Sequence, residues 1–351
     1  MSTMPEGGRV TSIWDIARIA GVSHQTVSRV INGKPHVKAS TRDLVLRTID
    51  ELGFTPSKTA RALAGGSART VTVLAVDTAL YGCSATLRGI EEAARGAGFS
   101  VAISVLERDA ARSVQDVESR LGNPRTPAIV IAFEAAGARA FQALDANLPA
   151  VGVVERPDDG EAVCVADPAR VWIDDRLAAA HATRHLLGMG HRTVHYLALP
   201  SSTAHVGQRA LGRQDALEEA GRPVPEPVAC GWTPRDGYLA ARSLLADRSV
   251  TAVLCGNDDI ALGVLRAARE HRRPVPDSVS VVGFDDAPHA AYLAPTLTTV
   301  RLDFEGLGRA AFARLHALLE PEAAPLGGAW DEPELIVRES SGPAPTPAGT
   351  T

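Results

Sequence analysis

Four side chains with hydrogen-bonding or aromatic groups follow predicted strands in the second half of the chain. Asp285 comes directly after the strand-like run SVSVVGF, and Asn257 follows the run VLCG. Arg209 lies in the first turns of a predicted helix, and Trp232 lies in a Gly-Trp-Thr-Pro loop. Carboxylate, amide and guanidinium groups supply the acceptors and donors that vicinal hydroxyls need, and an indole ring covers C–H bonds. The set therefore predicts a site for a sugar-like molecule.

Each of these residues also has a structural interpretation. Asp285 and Arg209 could form a salt bridge, and Asn257 could cap the helix that follows it. Trp232 could pack against its neighbours. The residue types alone leave both interpretations open.

Motifs of catalysis and of metal binding are not found in the sequence. It has no phosphate loop, no G-x-S-x-G turn and no H-E-x-x-H pair. His181 and His185 are four residues apart, but no Glu lies between them, and they are predicted to lie on a helix surface. We therefore expect no enzymatic activity, no cofactor and no metal.

A second group of polar side chains lies near the start of the chain. The spacing of Val27, Val30 and Ile31 predicts a helix with one apolar face, which Ser23 caps. Gln can pair with adenine and Arg with guanine, while Ser and Thr can bind phosphate or base. The residues left to point outward are His24, Gln25, Thr26, Ser28 and Arg29. They predict a DNA-reading helix, although a three-helix bundle without a DNA role has the same apolar spacing.

The elements around this helix fit a helix-turn-helix. Ser12 and Asp15 form an S-x-x-D capping signal before a first helix, which Gly21 ends. A third helix is predicted from Ser40 or Thr41. Its inward residues are predicted to be Leu44, Val45, Ile49 and Leu52. In such motifs the start of the second helix reaches base edges in the major groove.

Charge is unevenly spread along the 351 residues. The whole chain carries a net charge of -5. Residues 1–66 contain nine basic and five acidic side chains, a net charge of +4, whereas the remainder carries -9. A small basic head on a larger acidic body predicts a polyanion-binding module joined to a different domain.

The body, residues 70–340, alternates apolar strands with helical patterns. This alternation predicts a doubly wound α/β fold with parallel sheets, and the length favours two sheets. Residues 1–11 and 341–351 are predicted to be disordered. The chain has no apolar run of membrane-spanning length and no signal-like start, and its four cysteines lie far apart. These features predict a cytoplasmic protein in a reducing compartment.

The head resembles the lactose-repressor (LacI-type) family through DIARIAGVS, TVSRVIN and GFTPSKTARAL, in this order. The resemblance implies a helix-turn-helix domain at 12–55 and a hinge segment at 56–69. It implies that His24, Gln25 and Arg29 read bases, and that Leu63 wedges into the minor groove. Ser23, Asn32 and His36 complete the predicted DNA-contacting set.

The body resembles the regulatory core of the same family and periplasmic sugar-binding proteins. The segments that carry this resemblance are RHLLGMGHR, LCGNDDIALGVLRAARE, VSVVGFDDAPHAAYLAPTLTTV and ELIVRESS. It implies two lobes around a ligand cleft. The lobes are joined by three crossovers, near Ala166–Asp167, near Thr298–Val300 and around Asp331–Pro333.

The same resemblance assigns roles to five residues of the predicted site. Arg209, Asn257 and Asp285 match contacts to sugar hydroxyls, and Trp232 and Phe304 match hydrophobic contacts. The chain departs from the pattern of the lactose-repressor family in two places. The acidic contact expected after Val151 falls on Val154 or Glu155, and Leu302 replaces a polar group.

Together these features predict a DNA-binding transcriptional regulator. The expected form is a homodimeric repressor that a sugar or small glycoside releases from a palindromic operator on double-stranded DNA. The alternative is a regulator that needs a corepressor of different chemistry. No leucine heptad follows Ser341, which argues against a tail-mediated tetramer.

Overall fold

The computed structural model describes residues 12–31, 37–52, 69–109, 126–156, 169–200, 207–327 and 330–346, together with Arg112, Val117 and Leu121. By its contacts the chain divides into two compact units, Met1–Arg69 and Thr70–Thr351. Several predictions fall outside the described residues. They concern Asn32, His36 and Leu63, the termini 1–11 and 347–351, most of the hinge at 56–69, and the crossover at Ala166–Asp167.

The first unit contains three helices among its described residues: α1 (Ile13–Ile19), α2 (His24–Ile31) and α3 (Ala39–Glu51). The predicted capping box of α1 is confirmed, because Ser12 Oγ accepts from the Asp15 amide at 3.3 Å and Asp15 accepts from the Ser12 amide at 3.0 Å. Gly21 follows with φ +62°, a conformation that disfavours any side chain. Because α1 is capped at Ser12 and the chain turns at Gly21, α2 packs against α1.

The core of the head is confirmed for most of the predicted residues. Ile16, Val27 and Val45 are fully buried where the three helices meet. Leu44 is the exception, because it is 40% exposed and Thr48 is buried in its stead. Helix α3 starts at Ala39, slightly earlier than predicted, and this register turns Val45 and Thr48 inward.

The first lobe of the body is built on a parallel five-stranded sheet in the order β2-β1-β3-β4-β5. Its strands are β1 (Thr70–Ala75), β2 (Ser100–Val105), β3 (Ala128–Ala132), β4 (Ala150–Val154) and β5 (Arg170–Val171). Its helices among the described residues are α4 (Tyr81–Gly96), α5 (Ala135–Gln142) and the late α10 (Phe304–Leu319). β1 and β3 are almost wholly apolar and buried, as expected of strands covered on both faces.

The second lobe is built on a six-stranded sheet in the order β11-β10-β9-β8-β6-β7, in which only β11 runs antiparallel. Its strands are β6 (His195–Ala198), β7 (Val228–Ala229), β8 (Ala252–Cys255), β9 (Ser280–Asp285), β10 (Thr298–Arg301) and β11 (Glu334–Ile336). Its helices are α6 (Asp175–Gly188), α7 (Gln208–Glu219), α8 (Pro234–Leu244), α9 (Asp258–Glu270) and a 3₁₀ turn at Ala290–Tyr292. Two open sheets covered by helices confirm the predicted two-lobe α/β fold. In the described part of the chain, no helix is long and apolar enough to span a membrane.

The chain crosses between the lobes after β5, after β10 and after α10. The first follows β5 at 172–174, because β5 still pairs in the first sheet whereas α6 packs on the second. The second lies at Leu302–Asp303, because Thr298–Arg301 is a strand of the second sheet. The third lies between α10 and β11, which includes the predicted Asp331–Pro333.

The predicted disorder of the tail is wrong for residues 341–344. Ser341 is only 8% exposed, and the Gly342 amide donates to Ser280 Oγ at 3.0 Å. The Ala344 amide donates to the Met189 carbonyl at 2.9 Å. These partners lie far away along the chain, so the local composition could not indicate them.

Two histidines, the buried His191 and the half-buried His185, hold this tail segment. His191 is fully buried, with Nδ1 at 3.0 Å from Thr251 Oγ1 and Nε2 at 3.2 Å from the Gly342 carbonyl. His185 Nε2 lies 3.1 Å from Ser341 Oγ. Burial lowers the pKa of both side chains below the ordinary histidine value. The folded chain therefore binds fewer protons here than the unfolded chain does.

Acid should loosen the second lobe through these histidines. Their contribution is complete above the ordinary histidine pKa of about 6.5 and is lost as the pH falls through the lower pKa of the folded state. We expect the melting temperature to fall between about pH 7.5 and 5.5, and to fall less steeply in His191→Asn. Differential scanning calorimetry across this range measures how steeply the melting temperature of each protein changes with pH. The exposed His181→Asn is the matched control, and an equal slope in all three proteins would contradict the assignment.

Candidate functional site

A cleft of about 270 Å³ lies between the two lobes of the body. The carboxyl ends of strands from both sheets open into it, which is where open α/β sheets bind ligands. The five residues predicted as ligand contacts all line this cleft: Arg209, Trp232, Asn257, Asp285 and Phe304. The fold therefore brings together residues that are spread over almost a hundred positions of sequence.

Arg209 is the most constrained of these side chains. Its Nε donates to Asp175 Oδ1 at 2.9 Å, and its Nη1 donates to the Gly256 carbonyl. Its guanidinium lies 4.1 Å from the centre of the Phe284 ring. Burial lowers the pKa of Arg209, but Asp175 and Asp285 outweigh burial and raise this pKa above its ordinary value. The guanidinium is thus a fixed cation in the cleft.

Asp285 sits at the end of β9 with a side chain that is 12% exposed. Its Oδ1 lies 3.5 Å from Arg209 Nη2, so the salt-bridge interpretation is met only at long range. Burial raises the pKa of Asp285 well above the ordinary value, and Arg209 opposes that rise. A carboxyl group in this setting can exchange a long ion pair for hydroxyl hydrogen bonds.

Asn257 caps the helix that follows it, which confirms the structural interpretation, and it also lines the cleft. Its Oδ1 accepts from the Ile260 amide at 2.7 Å, which caps α9. Its Nδ2 donates to the Trp232 carbonyl at 3.2 Å, which ties the indole-bearing loop to this helix end. Asn257 is 5% exposed and lines the cleft as well.

The aromatic residues split between packing and cleft contact. Trp232 is half-buried in the cleft wall. Phe304 is 6% exposed and lies edge-to-face against Tyr81 and Phe133, with ring centres at 6.1 and 5.9 Å. Phe304 is therefore packed in an aromatic cluster that also forms part of the cleft surface.

Asp175 is a cleft residue that the sequence analysis missed. Asp175 follows the first crossover, and its position just after a short strand is the signal by which it could have been found. Val154 and Glu155 both line the cleft, but only Glu155 brings a carboxylate, whose Oε1 accepts from the Gln208 amide across the cleft at 2.6 Å. Leu302, where the family pattern has a polar group, is 4% exposed and apolar.

The charge of the cleft limits what it can bind. Among the described lining residues, one guanidinium, that of Arg209, faces several carboxyl groups. These belong to Glu155, Asp175, Asp258, Asp259 and Asp285. An anionic ligand would meet carboxyl groups on several sides and a single guanidinium that already donates to Asp175 and to the Gly256 carbonyl, so its charge would be poorly compensated. The cleft therefore suits an uncharged polar ligand.

The head presents the predicted outward set along α2. Gln25 and Arg29 are exposed and lie one helical turn apart on the same face. Ser23 Oγ accepts from the Thr26 amide at 3.1 Å, as expected of a helix cap. His24, Thr26 and Ser28 are half-buried.

Trp14 adds an aromatic surface that the sequence analysis missed. It is 64% exposed, and its ring stacks on that of His24 with centres 4.2 Å apart.

Two family models match the chain. The model of bacterial regulatory proteins, lacI family, matches residues 12–57, and the periplasmic binding protein-like domain matches residues 183–341. The chain is 30% identical over 321 residues to the lactose operon repressor of Escherichia coli, which covers 89% of this chain and 86% of that protein. It is 33% identical over 344 residues to the transcriptional regulator MalR of Streptomyces coelicolor, covering 97% of this chain and 99% of that protein.

Solved structures agree with the sequence relatives. The lac repressor dimer bound to operator and the anti-inducer ONPF matches with a TM-score of 0.78 and 29% identity, covering 95% of this chain and 100% of that one. The CelR–cellobiose complex matches with a TM-score of 0.68 and 27% identity, covering 94% and 100%. The predicted resemblance is thereby confirmed over head and body alike, and the chain belongs to the lacI family of bacterial regulatory proteins.

Proposed function

We propose that this chain is a transcriptional repressor that binds operator DNA and is released from it by a neutral sugar or small glycoside. The observation that carries the proposal is the cleft of Arg209, Asp285 and Trp232 in a chain that also bears a helix-turn-helix head. The relatives support it, since the lac repressor is bound to an operator and CelR to cellobiose.

The chemistry of the cleft supports a sugar over other small molecules. Asp285, Asn257 and Arg209 offer acceptors and donors on one side, and Trp232 offers a ring face. The volume of about 270 Å³ lies just below the range of drug-sized pockets, which favours a ligand of one or two rings. The surplus of carboxyl groups argues against phosphorylated or acidic sugars.

Exposed apolar surface on the body supports a homodimer. Ile103 and Val105 on the edge strand β2 are 56% and 49% exposed. On the other lobe, Leu262 of α9 lines a shallow groove together with Leu265 and Leu293. Apolar side chains exposed on both lobes are typical of protein interfaces, and a two-fold dimer matches a palindromic operator.

A thermal-shift screen tests the ligand class. The full chain is heated with glucose, galactose, lactose or cellobiose, and with glucose 6-phosphate as the charged control. A sugar at about a hundred times its Kd should stabilise the fold by about 2.7 kcal/mol. The proposal expects a shift with at least one neutral sugar and none with the phosphate. A shift with the phosphate alone would contradict it.

The hinge supplies a separate prediction for DNA. We propose that Leu63 wedges between base steps, because an apolar side chain there unstacks and kinks the duplex. Leu63→Gly should weaken operator binding about tenfold or more, since tenfold corresponds to about 1.4 kcal/mol. Fluorescence anisotropy measures the affinity, and the sugar-induced thermal shift shows that the body is intact. Unchanged affinity and unchanged DNA bending would contradict the wedge.

A further inference from the structure

The turn that carries Asp285 is strained. Asp285 has φ +106° and Asp286 has φ +50°, so two successive residues with side chains occupy the left-handed region. Such a conformation costs free energy and persists only where the surrounding structure holds it. The turn must therefore be fixed by neighbouring groups.

Two buried side chains fix this turn from outside it. Asp258, which is 1% exposed, accepts from the Ala287 amide through Oδ2 at 2.7 Å. Its Oδ1 accepts from Thr299 Oγ1 at 2.6 Å. Thr299 Oγ1 in turn accepts from the Asp286 amide at 3.4 Å. The pair thus holds the backbone amides of both residues that follow Asp285.

The strand beneath the turn leaves room for this carboxylate. A Cβ at Gly283 would lie 2.2 Å from Asp258 Oδ1, so the close approach depends on glycine at this position. Asp286 has its own anchor, because its Oδ1 accepts from Arg338 Nη2 at 2.7 Å. The backbone on each side of Asp285 is therefore fixed independently of the contacts that Asp285 makes in the cleft.

We propose that Asp258 and Thr299 are positioning residues for the effector, which hold the turn so that the Asp285 carboxyl group faces Arg209 and the cleft. The ligand class rests on the proposed function. The hold of Asp258 and Thr299 on the turn, called the clamp below, does not. Asp258 is well suited to the task because a carboxylate accepts two hydrogen bonds, and an amide side chain in its place would turn a donor toward one of the two donors. Burial raises the pKa of Asp258 to about 7, and its hydrogen bonds with Thr299 and the Ala287 amide oppose that rise.

The first test needs no ligand. Amide hydrogen exchange is compared in the wild type, Asp258→Ala and Thr299→Val. The matched control is Thr183→Val, which removes another buried threonine hydroxyl, one that donates to the Ala179 carbonyl at 2.8 Å. If the clamp holds the turn, the Asp286 and Ala287 amides should exchange at least about tenfold faster in Asp258→Ala and in Thr299→Val than in the wild type. Their exchange should not change in the control. Unchanged exchange at these amides in both variants would overturn the proposal.

The second test is a double-mutant cycle on affinity. Its probe is whichever of glucose, galactose, lactose and cellobiose shifts the wild type most. Asp258→Ala should weaken binding of this sugar about tenfold, and Thr299→Val about threefold. When Asp285 is already Asn, adding either change should raise the Kd of the sugar by less than about twofold, because both act through Asp285. Full additivity would show that Asp258 and Thr299 do not act through Asp285, and would overturn the positioning role. If no sugar binds the wild type, the proposed function fails, while the exchange result still decides the clamp.

Discussion

Asp285→Asn should weaken sugar binding at least tenfold and leave operator binding in the absence of sugar nearly unchanged. The carboxyl group lies in the cleft, 12% exposed, next to Arg209 and Asp175. Removing one member of a buried polar set leaves its partners unpaired, at a cost of about 1–3 kcal/mol, and 1.4 kcal/mol is a factor of ten. Isothermal titration of the sugar into each protein gives the change in Kd.

The matched control for this variant is Asp277→Asn, the same chemical change at an exposed position outside the cleft. It should leave the Kd of the sugar unchanged. In a reporter assay, the Asp285→Asn protein should stay on its operator at sugar concentrations that release the wild type. An Asp285→Asn protein that binds the sugar as tightly as the control would remove Asp285 from the site.

Arg29→Ala should cost about 1–3 kcal/mol on the correct operator and relax the base preference at one position. Arg29 is exposed on α2 one turn from Gln25, where its guanidinium can pair with the two acceptors of guanine. Anisotropy titrations on operator and on random DNA distinguish a base contact of Arg29 from a phosphate contact. Arg47→Ala, an exposed arginine on α3, is the control and should not change the base preference.

The random DNA decides what Arg29 contributes. If Arg29 contacts a base, its removal lowers the affinity for the operator far more than the affinity for random sequence. Equal losses on both would show that Arg29 binds phosphate only. In that case the slope of log affinity against log salt concentration would be smaller by about one in Arg29→Ala, as expected for a single lost phosphate contact.

Local signals predicted the head well. Ser12, Asp15 and Gly21 act within a few residues of themselves, and the capping box and the helix stop form as the pattern indicates. The register of α3 was the weak point, since Leu44 and Val45 are adjacent and only the packing decides which of them faces inward.

Strand ends predicted the core of the cleft for a similar reason. Asp285 and Asn257 follow buried parallel strands of one sheet, so they had to meet at its carboxyl edge. Glu155 follows a strand of the first lobe, so its place beside Asp285 and Asn257 depends on how the two lobes come together, which no local pattern reveals.

The remaining differences come from contacts across long stretches of sequence. The strained turn at Asp285 depends on Asp258 and Thr299, and the ordered tail depends on His185 and His191. Each contact joins residues on different elements of the second lobe. Composition reports only the local preference of such segments, and tertiary hydrogen bonds override it.

Coupling between the cleft and operator binding can be measured with a pair of titrations. The neutral sugar is titrated into the protein with and without operator DNA, and the operator is titrated with and without the sugar. Coupling of two binding sites must be reciprocal. The account predicts that sugar weakens operator binding and that operator weakens sugar binding by the same factor. Identical affinities in both pairs would contradict it, and tighter operator binding with sugar would make the sugar a corepressor.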